Sequence, residues 1–149
     1  MTKEGPDTKK NISGVIETVF DLSLQRIPFT VSVDAKMRML RGRTSVTPNI
    51  LARVGFCLSL EENGVPSDPF EAELEGRVIN RATLLGEYDT VYVALLRSWI
   101  GKNIDRDIIH QNLFNSLFVG HMNRGFELIS SRMRSLSDLC NLLANRNAA

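Results

Sequence analysis

Four groups of residues in this sequence have types and spacings that could do chemistry. His110 and His121 stand eleven apart, with no clustered Cys, Asp or Glu at metal-ligand spacing, so they read as surface or interface histidines rather than ligands. Cys57 could act as a thiolate nucleophile, but that needs an electropositive, partly open setting. It lies in the apolar run Phe56-Cys57-Leu58, which predicts core packing. Glu87 and Asp89 in Gly86-Glu87-Tyr88-Asp89 could pair as acid and base; ahead of an apolar run they read better as carboxylates at the positive end of a helix. No glycine-rich phosphate loop is present. The fourth group is cationic: Lys36, Arg38, Arg41, Arg43 and Arg53 face only Asp34 between Asp34 and Leu60, a net +4. Such a local surface is the footprint of phosphate binding, though lysine and arginine also line ordinary solvated helix faces.

That basic segment sits inside a near-neutral chain. The 149 residues carry a formal net charge of +1, because Glu61, Glu62, Asp68, Glu71, Glu73 and Glu75 follow it. The composition, 43% hydrophobic and 23% charged, is that of one globular domain without disulfide staples. Two distant cysteines fit a reducing compartment. Residues Met1 to Lys10 are polar and unlike a secretory leader, and no apolar run reaches bilayer length. The expected location is the cytoplasm.

The elements that must position these groups follow from periodicity. Residues 1–28 read as an N-terminal extension, disordered to about Asn11, with an amphipathic stretch from Val15 to Leu24. Phe29 to Val33 alternates apolar and polar and predicts a half-buried strand. Asp34 would cap a helix from Ala35 to Arg43 with Met37 and Leu40 inward. Thr47-Pro48 starts a second helix to about Glu62, with Ile50, Leu51, Val54, Cys57 and Leu58 on one face and Asn63-Gly64 ending it. The segment from Val65 to Glu75 reads as a solvated loop, and Arg77 to Thr83 as irregular. Further helices are predicted over Thr90–Ile100, Asp105–Val119, His121–Met133 and Ser135–Leu143. The fold class is mainly α: one small helical domain over 29–145, with an N-terminal ribbon-helix-helix-like unit (strand-helix-helix) followed by further helices. In that plan the strand pairs with its copy in a second chain, and the start of the second helix offers free N–H groups to phosphate. Outward Thr30, Ser32 and Asp34 would equip such a ribbon poorly for reading bases.

Several ordered motifs resemble the DndE family. They are Arg43-Thr44, Thr47-Pro48-Asn49-Ile50-Leu51-Ala52-Arg53, Phe56-Cys57-Leu58-Ser59-Leu60, Asn80-Arg81, Thr83-Leu84-Leu85-Gly86-Glu87-Tyr88-Asp89, Ala94-Leu95-Leu96-Arg97 and His121-Met122-Asn123-Arg124-Gly125. The resemblance spans roughly Phe29 to Leu139. It implies a component of a bacterial DNA phosphorothioation system, in which sulfur replaces a non-bridging phosphate oxygen. It implies a subunit that binds DNA with a preference for nicked duplex and forms a homo-oligomer, a dimer or tetramer; the lack of a convincing nucleophile, metal set or nucleotide loop makes a non-enzymatic role without cofactor or metal the expectation. DndC and DndD-like components and a cysteine desulfurase are the implied partners. By position, Lys36, Arg38, Arg41, Arg43, Thr47, Asn49, Arg53 and Arg124 are the candidate DNA contacts. Two other readings stay open: a ribbon-helix-helix repressor or antitoxin, and an assembly adaptor using the long helical C-terminal half.

Overall fold

The Thr30 hydroxyl sets where the first helix begins. It accepts a hydrogen bond from the Val33 N–H at 3.2 Å, and its extended backbone (φ −69°, ψ 159°) is that of a helix N-cap. In the computed structural model, which describes residues 21–71 and 73–147, helix α1 therefore runs Val31–Thr44. Helix α2 follows over Pro48–Glu61. Strand β1 is Arg26–Pro28 and pairs antiparallel with β2, Val78–Asn80, placing Ile27 opposite Ile79. Then come α3 (Arg81–Leu85), α4 (Asp89–Asn103), α5 (Gln111–Arg132) and α6 (Leu136–Asn147). The chain is mainly α, a short strand leading into helices, as the sequence predicts. No helix among the described residues is long and apolar enough to cross a membrane.

The strand itself lies elsewhere than expected. Val31 to Val33 belongs to α1, so Val31 is exposed while Phe29 and Val33 are buried. Five alternating residues fit a strand, but they also fit a capped first helical turn, and the Thr30 cap decides between them. Asp34 is thus a first-turn residue, not the cap. The backbone of β1 is satisfied by β2 within the same chain, so it needs no second copy. That removes the structural premise of the repressor reading. The segment Arg77–Thr83, read as irregular, holds β2 and the start of α3. The amphipathic stretch before Asp21 and the disorder expected to Asn11 lie outside the described residues; Leu22, at its end, is buried.

The core forms around α2 and α5. Leu51, Ala52, Phe56 and Leu58 of α2 are buried against Phe114, Phe118, Met122 and Phe126 of α5. Phe56 meets Phe118 at 5.3 Å and Tyr92 at 5.7 Å, and Phe29 stands edge-on to Phe126 at 5.7 Å. Each such ring contributes about 1.5–3 kcal/mol through burial. The two helices meet at Gly55 and Gly125. A Cβ on Gly55 would lie 2.7 Å from the Gly125 carbonyl carbon, and one on Gly125 would lie 2.3 Å from that of Gly55. This near-contact of backbones turns the buried stripe of α2 toward Gly55 and leaves Ile50, expected inward, 47% exposed.

Residues 111–132 form one helix of 22 residues, where two were expected with a break near Gly120. The glycine does not end the helix. Its bare side lets Pro66 pack close, with atoms 3.2 Å from where a Cβ would stand.

Candidate nucleic-acid interface

The exposed cations of α1 are at its C-terminal end. Arg41 and Arg43 lie in its last turn, where positive charge also offsets the negative end of the helix dipole. Both are exposed, and neither has an ion-pair partner among the described residues. Arg38 is exposed, with Asp34 one turn back at 3.9 Å. Arg77 approaches the same carboxylate at 3.3 Å, so Asp34 is shared between two arginines. Lys36 is drawn elsewhere: its ammonium lies 3.6 Å from Glu127 on α5 and is half-buried. Ser45 closes the helix in the left-handed conformation (φ 59°), its N–H bonded to the Arg41 carbonyl. The chain then reverses into Thr47 and Pro48, so the basic end of α1 sits beside the N-terminus of α2.

That N-terminus is only partly satisfied from within. The Thr47 carbonyl accepts from the N–H groups of Ile50 (3.1 Å) and Leu51 (3.2 Å). Its side chain makes no capping bond; instead the Thr47 hydroxyl donates to the Asn49 side-chain oxygen. A helix start flanked by exposed Thr47 and Ile50, without an acidic residue in its first turn, presents partial positive charge.

Two arginines predicted as contacts are built into the fold. Arg53 donates from Nε to the Leu84 carbonyl at 2.8 Å, and its guanidinium lies 5.6 Å from the centre of the Tyr88 ring. It ties α2 to α3 and the turn before α4. Arg124 donates from Nε to the Ser59 hydroxyl (2.7 Å), from one Nη to the Ser59 carbonyl (2.6 Å) and from the other to the Gly64 carbonyl (3.0 Å). It closes the C-terminal turn of α2. Burial lowers its pKa from the usual arginine value, opposed by nearby Glu62.

The rest of the His121–Gly125 motif does the same kind of work. Asn123 accepts from the Thr30 N–H at 3.1 Å and donates to the Pro28 and Val119 carbonyls, joining β1 and the start of α1 to α5. His121 is fully buried, where the sequence suggested a surface or interface position. Ser59 Oγ accepts from Arg124, so its own proton is directed to His121 Nδ1 at 2.8 Å, leaving the imidazole proton on Nε2. The ring packs edge-on against Trp99 at 4.4 Å. Burial, aided by the Arg124 charge, pushes its pKa down to about 3. In the unfolded chain the ordinary value is about 6.5, so on acidification the unfolded chain takes up this proton first. The stability contributed by neutral His121 is intact above pH 6.5 and is lost as pH falls toward 3. The His121 imidazole resonance, followed by NMR, should therefore show the neutral form at pH 5. Titration near 6.5 in the folded protein would contradict the buried network.

The remaining chemical candidates resolve as structure. Asp89 opens α4 and is gripped by Arg81, Nε to Oδ2 at 2.6 Å and Nη to Oδ1 at 2.7 Å, which lowers its pKa. His110 caps α5, its Nδ1 accepting from the Leu113 N–H. Cys57, expected in the core, is half-buried beside Tyr92, and Cys140 is exposed on α6. No group of three or more metal-binding side chains occurs among the described residues.

The family model for DndE, the DNA sulphur modification protein, matches residues 26–137. The chain belongs to the DndE family. Its role is accordingly in DNA phosphorothioation. Among solved structures it is similar to DndE from Escherichia coli B7A, described as involved in DNA phosphorothioation modification. The two share 23% identity over 71% of this chain and 96% of that one, with a TM-score of 0.56. A DndE mutant, likewise described as involved in DNA phosphorothioation, matches at 21% identity and TM-score 0.54, covering 71% and 97% of the two chains. No curated protein matches the chain. The matched DndE region begins at β1 and ends in the first turn of α6, so both strands and the α2–α5 crossing fall within it.

Proposed function

We propose that this DndE protein is the non-enzymatic DNA-binding subunit of its phosphorothioation system, holding the backbone through Arg38, Arg41 and Arg43. One observation carries the reading. Among the described residues Arg41 and Arg43 stand exposed and without an ion pair, two residues apart, beside the N-terminus of α2, whereas Lys36, Arg77, Arg81, Arg53, Arg124 and Arg132 are engaged by carboxylates or carbonyls. Thr47 and Asn49 flank the same end and supply polar contacts to phosphate or sugar. Lys36 adds charge at the margin. Arg53 and Arg124 fall outside the contact set because their hydrogen bonds hold α2.

Contacts of this kind are to phosphate and carry little sequence information. They suit recognition of a DNA form, with nicked duplex as the preferred one, and positioning for DndC and DndD-like enzymes and a cysteine desulfurase in the cytoplasm. The protein acts as a homo-oligomer, which repeats the basic surface along the duplex.

Salt dependence tests the reading. Three arginines per chain neutralising phosphates predict that log K falls with log salt at a slope of about −3 for each bound chain, since each contact contributes about −0.9. Equilibrium binding to nicked, intact and single-stranded DNA between 50 and 300 mM salt measures it. A flat profile would leave no role for these arginines and would favour the adaptor reading.

A further inference from the structure

Two aromatic side chains are exposed among the described residues, Phe70 (52%) and Tyr88 (49%). Phe70 stands between Asp68 and Glu71 in the acidic segment that follows α2. Tyr88 instead has a cation behind it. The Arg53 guanidinium lies over the Tyr88 ring, 5.6 Å from its centre, within the range of a cation–π contact. That guanidinium is itself fixed, because its Nε donates to the Leu84 carbonyl at 2.8 Å. Gly86 leaves room for it: a Cβ there would lie 3.1 Å from an Arg53 Nη, and the positive φ of 56° at this turn favours glycine. The turn before α4 thus presents a half-exposed ring backed by an anchored cation.

Its position relates it to the basic end of α1. Asn49 and Arg53 are one turn apart on α2, so a single stripe leads from the start of that helix to Tyr88. From Thr47 to Arg53 the helix rises about 9 Å, at 1.5 Å per residue. One DNA strand advances about 3.4 Å per nucleotide, so a phosphate held at the start of α2 brings a base roughly two or three nucleotides away to Tyr88. We propose that Tyr88 is a stacking platform for a DNA base uncovered at a strand break. In intact duplex each base is covered on both faces and offers the ring nothing to stack on; a nick or gap opens one face. The Arg53 charge draws electron density to its own side of the ring, which favours stacking of an electron-rich base on the other. Glu87, exposed beside Tyr88, repels phosphate but not the neutral face of a base. The inference rests on the DNA-binding reading above and adds what phosphate contacts lack, a means to tell broken duplex from intact.

The test uses the full-length protein with nicked, gapped and intact duplexes of one sequence at 100 mM salt. Tyr88→Ala should weaken binding to the nicked and gapped forms about tenfold, the scale of one base–aromatic stack, and change intact-duplex affinity by less than about twofold. Tyr88→Phe and Tyr88→Trp should keep the preference for broken duplex. Tyr88→Leu, apolar but without a π face, should lose it. At an exposed position none of these changes should alter the circular dichroism. Unchanged affinity of Tyr88→Ala for the nicked form would overturn the platform and leave the basic end of α1 in place. So would an equal loss on intact duplex, or a Tyr88→Leu protein that matches Tyr88→Phe. A wild-type protein that binds none of the DNAs would overturn both readings.

Discussion

Replacing Gly55 by alanine is expected to lower the unfolding free energy by about 3 kcal/mol, within or beyond the range for overpacked cores. For a domain of this size that is a fall in Tm of roughly 10 °C. The new methyl would sit 2.7 Å from the Gly125 carbonyl carbon, inside any normal contact, and the atoms it meets are backbone. No rotamer change relieves the clash; α2 and α5 must separate, and the rings of Phe56, Phe118 and Phe126 lose contacts with them. Helix propensity works the other way, favouring alanine by roughly 0.5–1 kcal/mol, but is smaller than the clash. Gly42 supplies the control. It is also helical, but nothing lies within 4 Å of its Cβ position, so Gly42→Ala should stabilise by that propensity difference alone. Thermal or denaturant unfolding of the two variants checks the sign of each effect. A stable Gly55→Ala protein would mean the helices do not cross where the two glycines meet.

Arg124 is the second residue whose removal should cost most. Arg124→Met keeps the aliphatic stem and removes three hydrogen bonds, two to Ser59 and one to Gly64. Charge-assisted bonds of this kind contribute about 1.5–3 kcal/mol, and the carbonyls left behind are partly desolvated. The expected loss is about 2–4 kcal/mol. Arg124→Lys should recover only part of it, because an ammonium cannot span both the hydroxyl and the two carbonyls. Neither variant, at temperatures where it stays folded, should change DNA affinity by more than about twofold. A folded Arg124→Lys protein that binds DNA tenfold more weakly would return Arg124 to the contact surface.

The reach of the sequence can be judged from these same residues. Helical spacing located α1, α2 and α4 and placed Met37, Leu40, Leu51 and Leu58 inside, because an apolar stripe at that spacing has few other ways to be buried. Thr47-Pro48 marked the start of α2 to the residue. Position along the chain did not reveal which arginines are available. Arg53 and Arg124 differ from Arg41 and Arg43 in what the fold brings to them: the Leu84 carbonyl lies 31 residues from Arg53, and Ser59 lies 65 from Arg124. Lys36 likewise meets Glu127 only because α1 packs on α5. The strand was displaced because capping by Thr30 and alternation predict different structures from the same five residues. The two helices predicted on either side of Gly120 are one, and close packing on Pro66 explains the glycine. One signal was available for the His121–Gly125 motif: a histidine, an asparagine and an arginine set among Phe118, Val119, Met122 and Phe126 suggest side chains buried with partners, and each of the three has one.

DNA binding by the Arg41→Glu/Arg43→Glu variant tests the central claim most directly. Both side chains are exposed and have no ion pair among the described residues, so the circular dichroism should match the wild type and the melting temperature should fall only by the few degrees that two anions at the C-terminal end of α1 cost. With two cations turned into anions at each bound chain, affinity for nicked and intact duplex at 100 mM salt should fall at least 100-fold, and the salt slope should collapse toward zero. Retention of wild-type affinity by a folded double variant would contradict the account, and the DNA surface of this DndE protein would then lie away from the end of α1.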